Sequence, residues 1–407
     1  MPSTLSWIDY DQTARERTLR ILSLFHERDS RDELGLGGIR DSFADQFFPG
    51  TSTIQTRLRY MLFIPWIFKQ LEEKQIPPPD FAVQAEKIER SLTKPLLETD
   101  DQSGVFGKTA GQQLKRLPSS VYWYGLGSWE IRNLEITQDQ YHRQIGLIYK
   151  KRHEGKRLYK EDREYGDDRD RVPPLETVTW HSRLPQAPKG FPEKVDFQLT
   201  REEADFLLER ITRSHPDSLF AHLAMHCNLA DVEAPWLHPD WASFRPDHRK
   251  LLDHARLFSD TMHGAALLYN LQLTEIKHLP EKVTEYRTLL GNWAKSLDIG
   301  IVRRWDLKDL WNLTIGHGHT ITAATRRFVE TWIDLVISRA SVISDDKKAR
   351  HLIEMRERIL KGTRSRFINR RALEQWGGQS GTRRLVFRWP NAKVFLKDLH
   401  QGLTRGA

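Results

Sequence analysis

A mainly α-helical, multi-helical fold is predicted by three observations. Apolar residues recur at helical spacing in segment after segment of the 407 residues. Helix boundaries are marked by capping and breaking residues, such as Thr200 followed by Glu203 and the Phe48-Pro49-Gly50-Thr51 corner. The best strand candidate is a single short run, residues 383–389 (RRLVFRW). The expected architecture therefore has an N-terminal helix-turn-helix-like unit, further helices, and a small β element near the C-terminus.

Residues 11–27 open the pattern with Ala14, Leu19, Leu22 and Phe25 on one face, and Gly35, Gly37 and Gly38 interrupt it. Residues 39–47 form the next helix, with Ile39, Phe43 and Phe47 aligned. After the Pro-Gly corner, Thr51 or Ser52 can cap a helix whose inner stripe is Ile54, Leu58, Met61 and Leu62, and which Pro65 kinks or ends. Helices follow over 81–97 and 141–151. The charge-dense run KKRHEGKRLYKEDREYGDDRDR (150–171) and a string of prolines up to residue 199 read as a solvated connector. The capping box at Thr200 starts a second helical region, with helices over 219–228, 248–271, 282–296, 325–338, 347–360 and 392–403. The expected division is an N-terminal helical domain at 1–150, the connector at 151–199, and a C-terminal helical domain at 200–407.

Composition narrows the function. A hydrophobic fraction of 39%, with 13 Trp and 18 Phe, supplies ample core. Cys227 is the single cysteine, so neither an intrachain disulfide nor a cysteine-based zinc module is expected. The longest apolar run, residues 61–68, is far shorter than the roughly 20 residues that span a bilayer. No membrane partner is expected, and a cytoplasmic location is. A net charge of +8 and a pI near 9.4 favour an anionic partner.

Two segments carry cations in patterns that suit nucleic acid. In a helix-turn-helix, the second helix would present Gln55, Thr56, Arg57 and Arg59. Gln and Arg pair bidentately with adenine and guanine edges there. Between residues 350 and 388, eleven Lys and Arg face three Glu; Lys361, Arg364, Arg366, Arg370, Arg371, Arg383 and Arg384 form the expected phosphate-binding set. Phe367, Trp376, Phe387 and Trp389 interleave with them as stacking or core residues.

Catalytic signatures are weak. Gly107-Lys108-Thr109 resembles the end of a P-loop, but Gln102 stands where its first glycine belongs. His222 and His226 share a helix face, with Leu223 in place of the glutamate a metalloprotease helix needs. His317-Gly318-His319 reads as a turn, and Asp41 with Asp45 are an i,i+4 pair beside cations. No cofactor, metal or catalytic residue is expected.

The stretches SWIDYD (6–11), SRDELGLGGIRDSFADQFFPGTSTIQTRLRYMLFIPWI (30–67), KRLPSSVYWYGLG (115–127) and RALEQWGGQSGTRRLVFRWPNA (371–392) resemble an uncharacterised bacterial family, a domain of unknown function. The resemblance runs nearly end to end. It implies a setting in antiphage defence islands, beside helicase- and phospholipase-D-like genes, and so other subunits of a defence complex as partners. With the charge pattern, the expectation is a non-catalytic DNA-binding or assembly subunit of a multi-protein system. Two alternatives stand beside it: a nuclease using dispersed acids and histidines, and a scaffold docking a helicase-type partner on residues 121–129.

Overall fold

The computed structural model of the chain describes residues 32–164, 178–226 and 229–405. The helix expected over 11–27, Cys227, and part of the connector at 151–199 lie outside them. In chain order the helices are α1 (Gly37–Phe47), α2 (Tyr60–Glu73), α3 (Pro78–Ser91), α4 (Thr93–Leu97), α5 (Pro118–Ser128), α6 (Gln138–Glu164), α7 (Arg201–Ser214), α8 (Leu219–His226), α9 (Pro246–Ile276), α10 (Pro280–Ser296), α11 (Ile299–Arg304), α12 (Leu307–Thr314), α13 (Ala323–Arg339), α14 (Lys347–Lys361), α15 (Arg370–Glu374) and α16 (Trp389–Leu403). Among the described residues there is no strand, only an isolated bridge between Arg132 and Trp180. The mainly helical expectation holds.

The helices form two compact units, each discontinuous in sequence. The first joins Met1–Gln46 to Ala234–Phe387. Its axis is α9, 31 residues long and buried on most of its circumference, which a helix achieves when neighbours cover several faces. Helices α10, α13 and α14 pack on it. A side chain at Gly264 would come within 2.2 Å of the Trp293 ring, so a glycine is what lets α10 approach. The indole N–H groups of Trp293 and Trp332 donate to the carbonyls of Asp260 (2.7 Å) and Thr261 (2.9 Å), which satisfies the polar ends of two core aromatics.

The second unit joins Phe47–Glu233 to Arg388–Ala407. Helix α2 is its core element, buried continuously from Tyr60 to Phe68. Pro65 sits inside α2 without ending it. Helix α7 starts on the expected capping box: Thr200 Oγ accepts from the Glu203 amide (3.2 Å) and Glu203 Oε2 accepts from the Thr200 amide (3.0 Å).

Two expected elements are corrected. The helix after the Pro-Gly corner does not start at residue 51 or 52; it starts at Tyr60. The amides of Thr56 and Arg57 donate to the Tyr122 hydroxyl (2.8 and 3.0 Å), and that of Leu58 to Asp398 (2.9 Å). Tertiary acceptors thus replace the i−4 carbonyls of a helix, and residues 51–59 run as an irregular segment. Ile54, expected in the inner stripe, is 37% exposed. The strand expected over 383–389 is absent because Phe387 and Arg388 take positive φ (49° and 64°), which turns the chain directly into α16.

One buried acid in the second unit makes stability depend on pH. Glu89 is 3% exposed. Burial pushes its carboxyl up to about 7, opposed by the Ser119 amide that donates to it. Because the folded pKa lies above the unfolded one, the native state binds the extra proton. The associated stability is present at low pH and is lost as pH rises from about 4.5 through about 7. Thermal melts between pH 5 and pH 8 are expected to show that decline, and Glu89→Gln is expected to flatten it. An unchanged slope in the variant would assign the decline to another group.

Candidate nucleic-acid interface

The four residues expected on a recognition helix are wired into the second unit. Gln55 is 2% exposed; its amide oxygen accepts from the Ser52 amide (3.0 Å) and its nitrogen donates to the Gly50 carbonyl (3.2 Å). Thr56 is half-buried, its hydroxyl on the Gly104 carbonyl at 2.7 Å. Arg57 lies against Asp398, with Nε to Oδ2 at 3.0 Å and Nη2 to Oδ1 at 2.8 Å, and reaches Asp101 with Nη1 (2.6 Å). Arg59 pairs with Asp196 (2.6 Å) and with Glu203 of the capping box (2.7 Å). Both guanidinium groups are internal ion pairs, so no exposed reading face exists here.

The C-terminal cations sort by burial. Glu357, near the end of α14 and fully buried, accepts from the Tyr269 hydroxyl (3.0 Å), the Ser365 hydroxyl and the Arg366 amide (3.1 Å). Lys361 pairs with Glu33 and approaches Glu357 (3.5 Å), while Arg366 pairs with Glu33 at 2.7 Å. Burial pulls the Lys361 ammonium down to about 8, with Arg366 beside it adding to the effect. Lys361 and Arg366 therefore belong to a largely internal network of two cations and two carboxylates, in which each charge offsets the burial cost of another.

The other five arginines are exposed. Arg370 reaches Glu374 one turn on (3.0 Å), and Arg384 reaches Asp260 (3.1 Å). Arg364, Arg371 and Arg383 have no carboxylate partner among the described residues. The loop that leads into Arg383 is held by its backbone. The Asn270 side chain clamps Ser380, donating to its carbonyl (2.7 Å) and accepting from its amide (2.8 Å). Tyr286 donates to the Gly378 carbonyl (2.8 Å), His263 to that of Thr382 (3.0 Å), and Lys277 to that of Trp376 (3.0 Å). Helices α9 and α10 thus fix an irregular loop at four points, a construction that presents side chains at defined positions. The sequence offered only one hint of it, the Gly-Gly-Gln-Ser-Gly run at 377–381. His263, Asn270 and Tyr286, which hold it, lie about 90–120 residues upstream, and no local pattern ties them to this loop.

The residues considered for chemistry are engaged elsewhere. Asp41 is bound bidentately by Arg40 (2.9 and 3.1 Å), and Asp45 meets His319 at 2.7 Å. The His222 and His226 rings stack at 4.3 Å. Among the described residues, no group of three His, Cys, Asp or Glu is placed to hold a metal ion. The aromatic stretch at 121–129 is helical, and Val121, Tyr122, Trp123, Leu126 and Trp129 are buried; Tyr124, 50% exposed, is its exposed large side chain. Among the described residues, no helix is long and apolar enough to cross a membrane.

The fold is that of a mainly helical protein with two compact units. The chain belongs to a family of unknown function, DUF6361, whose profile matches residues 2–159 and 164–402. No curated protein and no solved structure matches it.

Proposed function

We propose that this chain is a non-catalytic DNA-binding or assembly subunit that contacts phosphate through its C-terminal arginines. The observation behind this reading is that Arg364, Arg371 and Arg383 are exposed and meet no carboxylate among the described residues, and that the loop leading into Arg383 is held through its backbone by Asn270 and His263. An arginine fork without an internal carboxylate retains its two-donor geometry for a phosphate. The +8 net charge adds long-range attraction for a polyanion. Contacts of this kind position a protein on DNA without reading sequence. The multi-protein antiphage setting is supported by the family resemblance alone, and recovery of the native assembly with its nucleic acid tests that part.

The DNA reading predicts that affinity falls linearly with the logarithm of salt concentration, with a slope of about 0.9 per phosphate neutralised. Replacing Arg364, Arg371 and Arg383 together by glutamate is expected to weaken binding to all sequences by at least about tenfold and to flatten that slope. Fluorescence anisotropy across a salt series measures both. Salt-independent binding, or none by the chain and by its native assembly, rejects the reading.

A further inference from the structure

An open cleft of about 470 Å3 lies within the unit of Met1–Gln46 and Ala234–Phe387, walled by the residues preceding α1, by α9 and by the clamped loop. Its size falls in the range of small-molecule sites. Its charged groups can be matched one at a time. The Asp32 carboxylate accepts from the amides of Leu36 (2.8 Å) and Gly37 (2.5 Å), so it is committed to the start of α1. Glu33 is committed to Lys361 and Arg366, and Arg40 holds Asp41. Arg383 is the cation left over: it lines the cleft, is exposed, and meets no carboxylate among the described residues.

His263 is also on the lining. Its Nε2 faces the Thr382 carbonyl, which can only accept, so the proton sits on Nε2 and Nδ1 presents a lone pair. Burial holds this imidazole below the usual histidine range and so neutral. The Nδ1 atom is closed to solvent, so the ring contributes a neutral wall and no acceptor to the cleft. The rest of the lining is partly apolar, through Leu36, Met262 and Leu385. The cleft therefore suits an anionic group carried on a flat or apolar body.

We propose that this cleft binds a nucleoside phosphate, with the phosphate on Arg383 and the sugar and base against the apolar wall. The nucleotide can be an unpaired residue or end of a bound strand, in which case the proposal rests on the DNA reading above, or a free nucleotide. The two sources share one chemistry and separate experimentally.

The test titrates the full chain with a free deoxynucleoside monophosphate, a terminally phosphorylated single strand, its hydroxyl-ended counterpart, and a blunt unphosphorylated duplex. Two variants accompany it. Arg383→Gln removes the charge, and Ala266→Phe fills the cleft from α9 without touching a charge; melting curves confirm that both fold. Free nucleotide binding, or a preference for the phosphorylated end, is expected to drop at least about tenfold in both variants. Ala266→Phe is expected to leave duplex affinity unchanged. If the duplex binds but no nucleotide or strand end depends on the cleft, the proposal is overturned while the DNA reading stands. Free nucleotide binding lost in both variants without any duplex binding supports the cleft and rejects the DNA reading. Binding of nothing rejects both.

Discussion

Replacing Asp398 by alanine is expected to destabilise the unit of Phe47–Glu233 and Arg388–Ala407 by about 3–5 kcal/mol, the usual cost of removing one partner of a buried ion pair. Asp398 is 4% exposed and Arg57 is 7% exposed. The carboxylate takes two donors from Arg57 and one from the Leu58 amide. After the change, the guanidinium keeps Asp101, whose side chain is 59% exposed, as its carboxylate partner, and the Leu58 amide loses its acceptor inside the protein. The Phe197 ring, 4.4 Å from the guanidinium carbon, offsets only part of that loss, since a cation–π contact contributes about 0.5–2 kcal/mol. Asp398→Asn keeps an acceptor for Leu58 and is expected to lose less. Removing both charges with Arg57→Met and Asp398→Leu is expected to recover part of the loss, because the penalty lies in the orphaned charge. Urea denaturation gives all three values; a loss below about 1 kcal/mol for the alanine variant would show that Arg57 finds another partner or stays hydrated.

That ion pair also shows what the sequence could and could not reveal. Helix class and most helix spans were legible because they depend on neighbours in the chain: the apolar period of α9, the capping box at Thr200, and the stripe of α14 all act within a few residues. The 51–59 segment misled for a physical reason. Its local pattern favours a helix, but the Tyr122 hydroxyl and the Asp398 carboxylate, 65 and 340 residues away, outbid the i−4 carbonyls for its amides. An Arg-Leu-Arg run looks the same whether its cations face solvent or lie in ion pairs with distant acids. The same ambiguity divided the C-terminal arginines: nothing near Lys361 or Arg366 announces Glu33, more than 300 residues upstream, whereas Arg364 between them stays exposed. The discontinuous first unit was invisible for the same reason, since it rests on contacts such as Ser42 to the Thr314 carbonyl across 272 residues. The candidate site was therefore legible as a composition, a basic stretch, but not as the loop, clamp and cleft that sort its cations.

Glu357→Ala is expected to have a comparable cost, about 3–5 kcal/mol, in the other unit, and to reach further into function. The carboxylate is fully buried and collects the Tyr269 hydroxyl, the Ser365 hydroxyl, the Arg366 amide and, at 3.5 Å, the Lys361 ammonium. Burial beside this acid drives the Tyr269 phenol upward, so the phenol remains a donor across the neutral range. Without Glu357, the two cations Lys361 and Arg366 share Glu33 alone, and three donors lose their acceptor. The turn from Gly362 to Arg366, which carries Arg364, is then tied to the unit chiefly through Arg366. Amide exchange at Ser365 and Arg366 is expected to accelerate well before that of α9, since opening this turn leaves the long helix packed. Glu357→Gln separates charge from geometry: it keeps an acceptor for Ser365 and the Arg366 amide but removes the negative charge. If it matches the alanine variant, charge compensation holds the network; if it stays near wild type, the hydrogen-bonded turn does. Under the DNA reading, the alanine variant loses affinity through a loosened Arg364 and keeps its salt slope, because no phosphate-contacting charge has been removed.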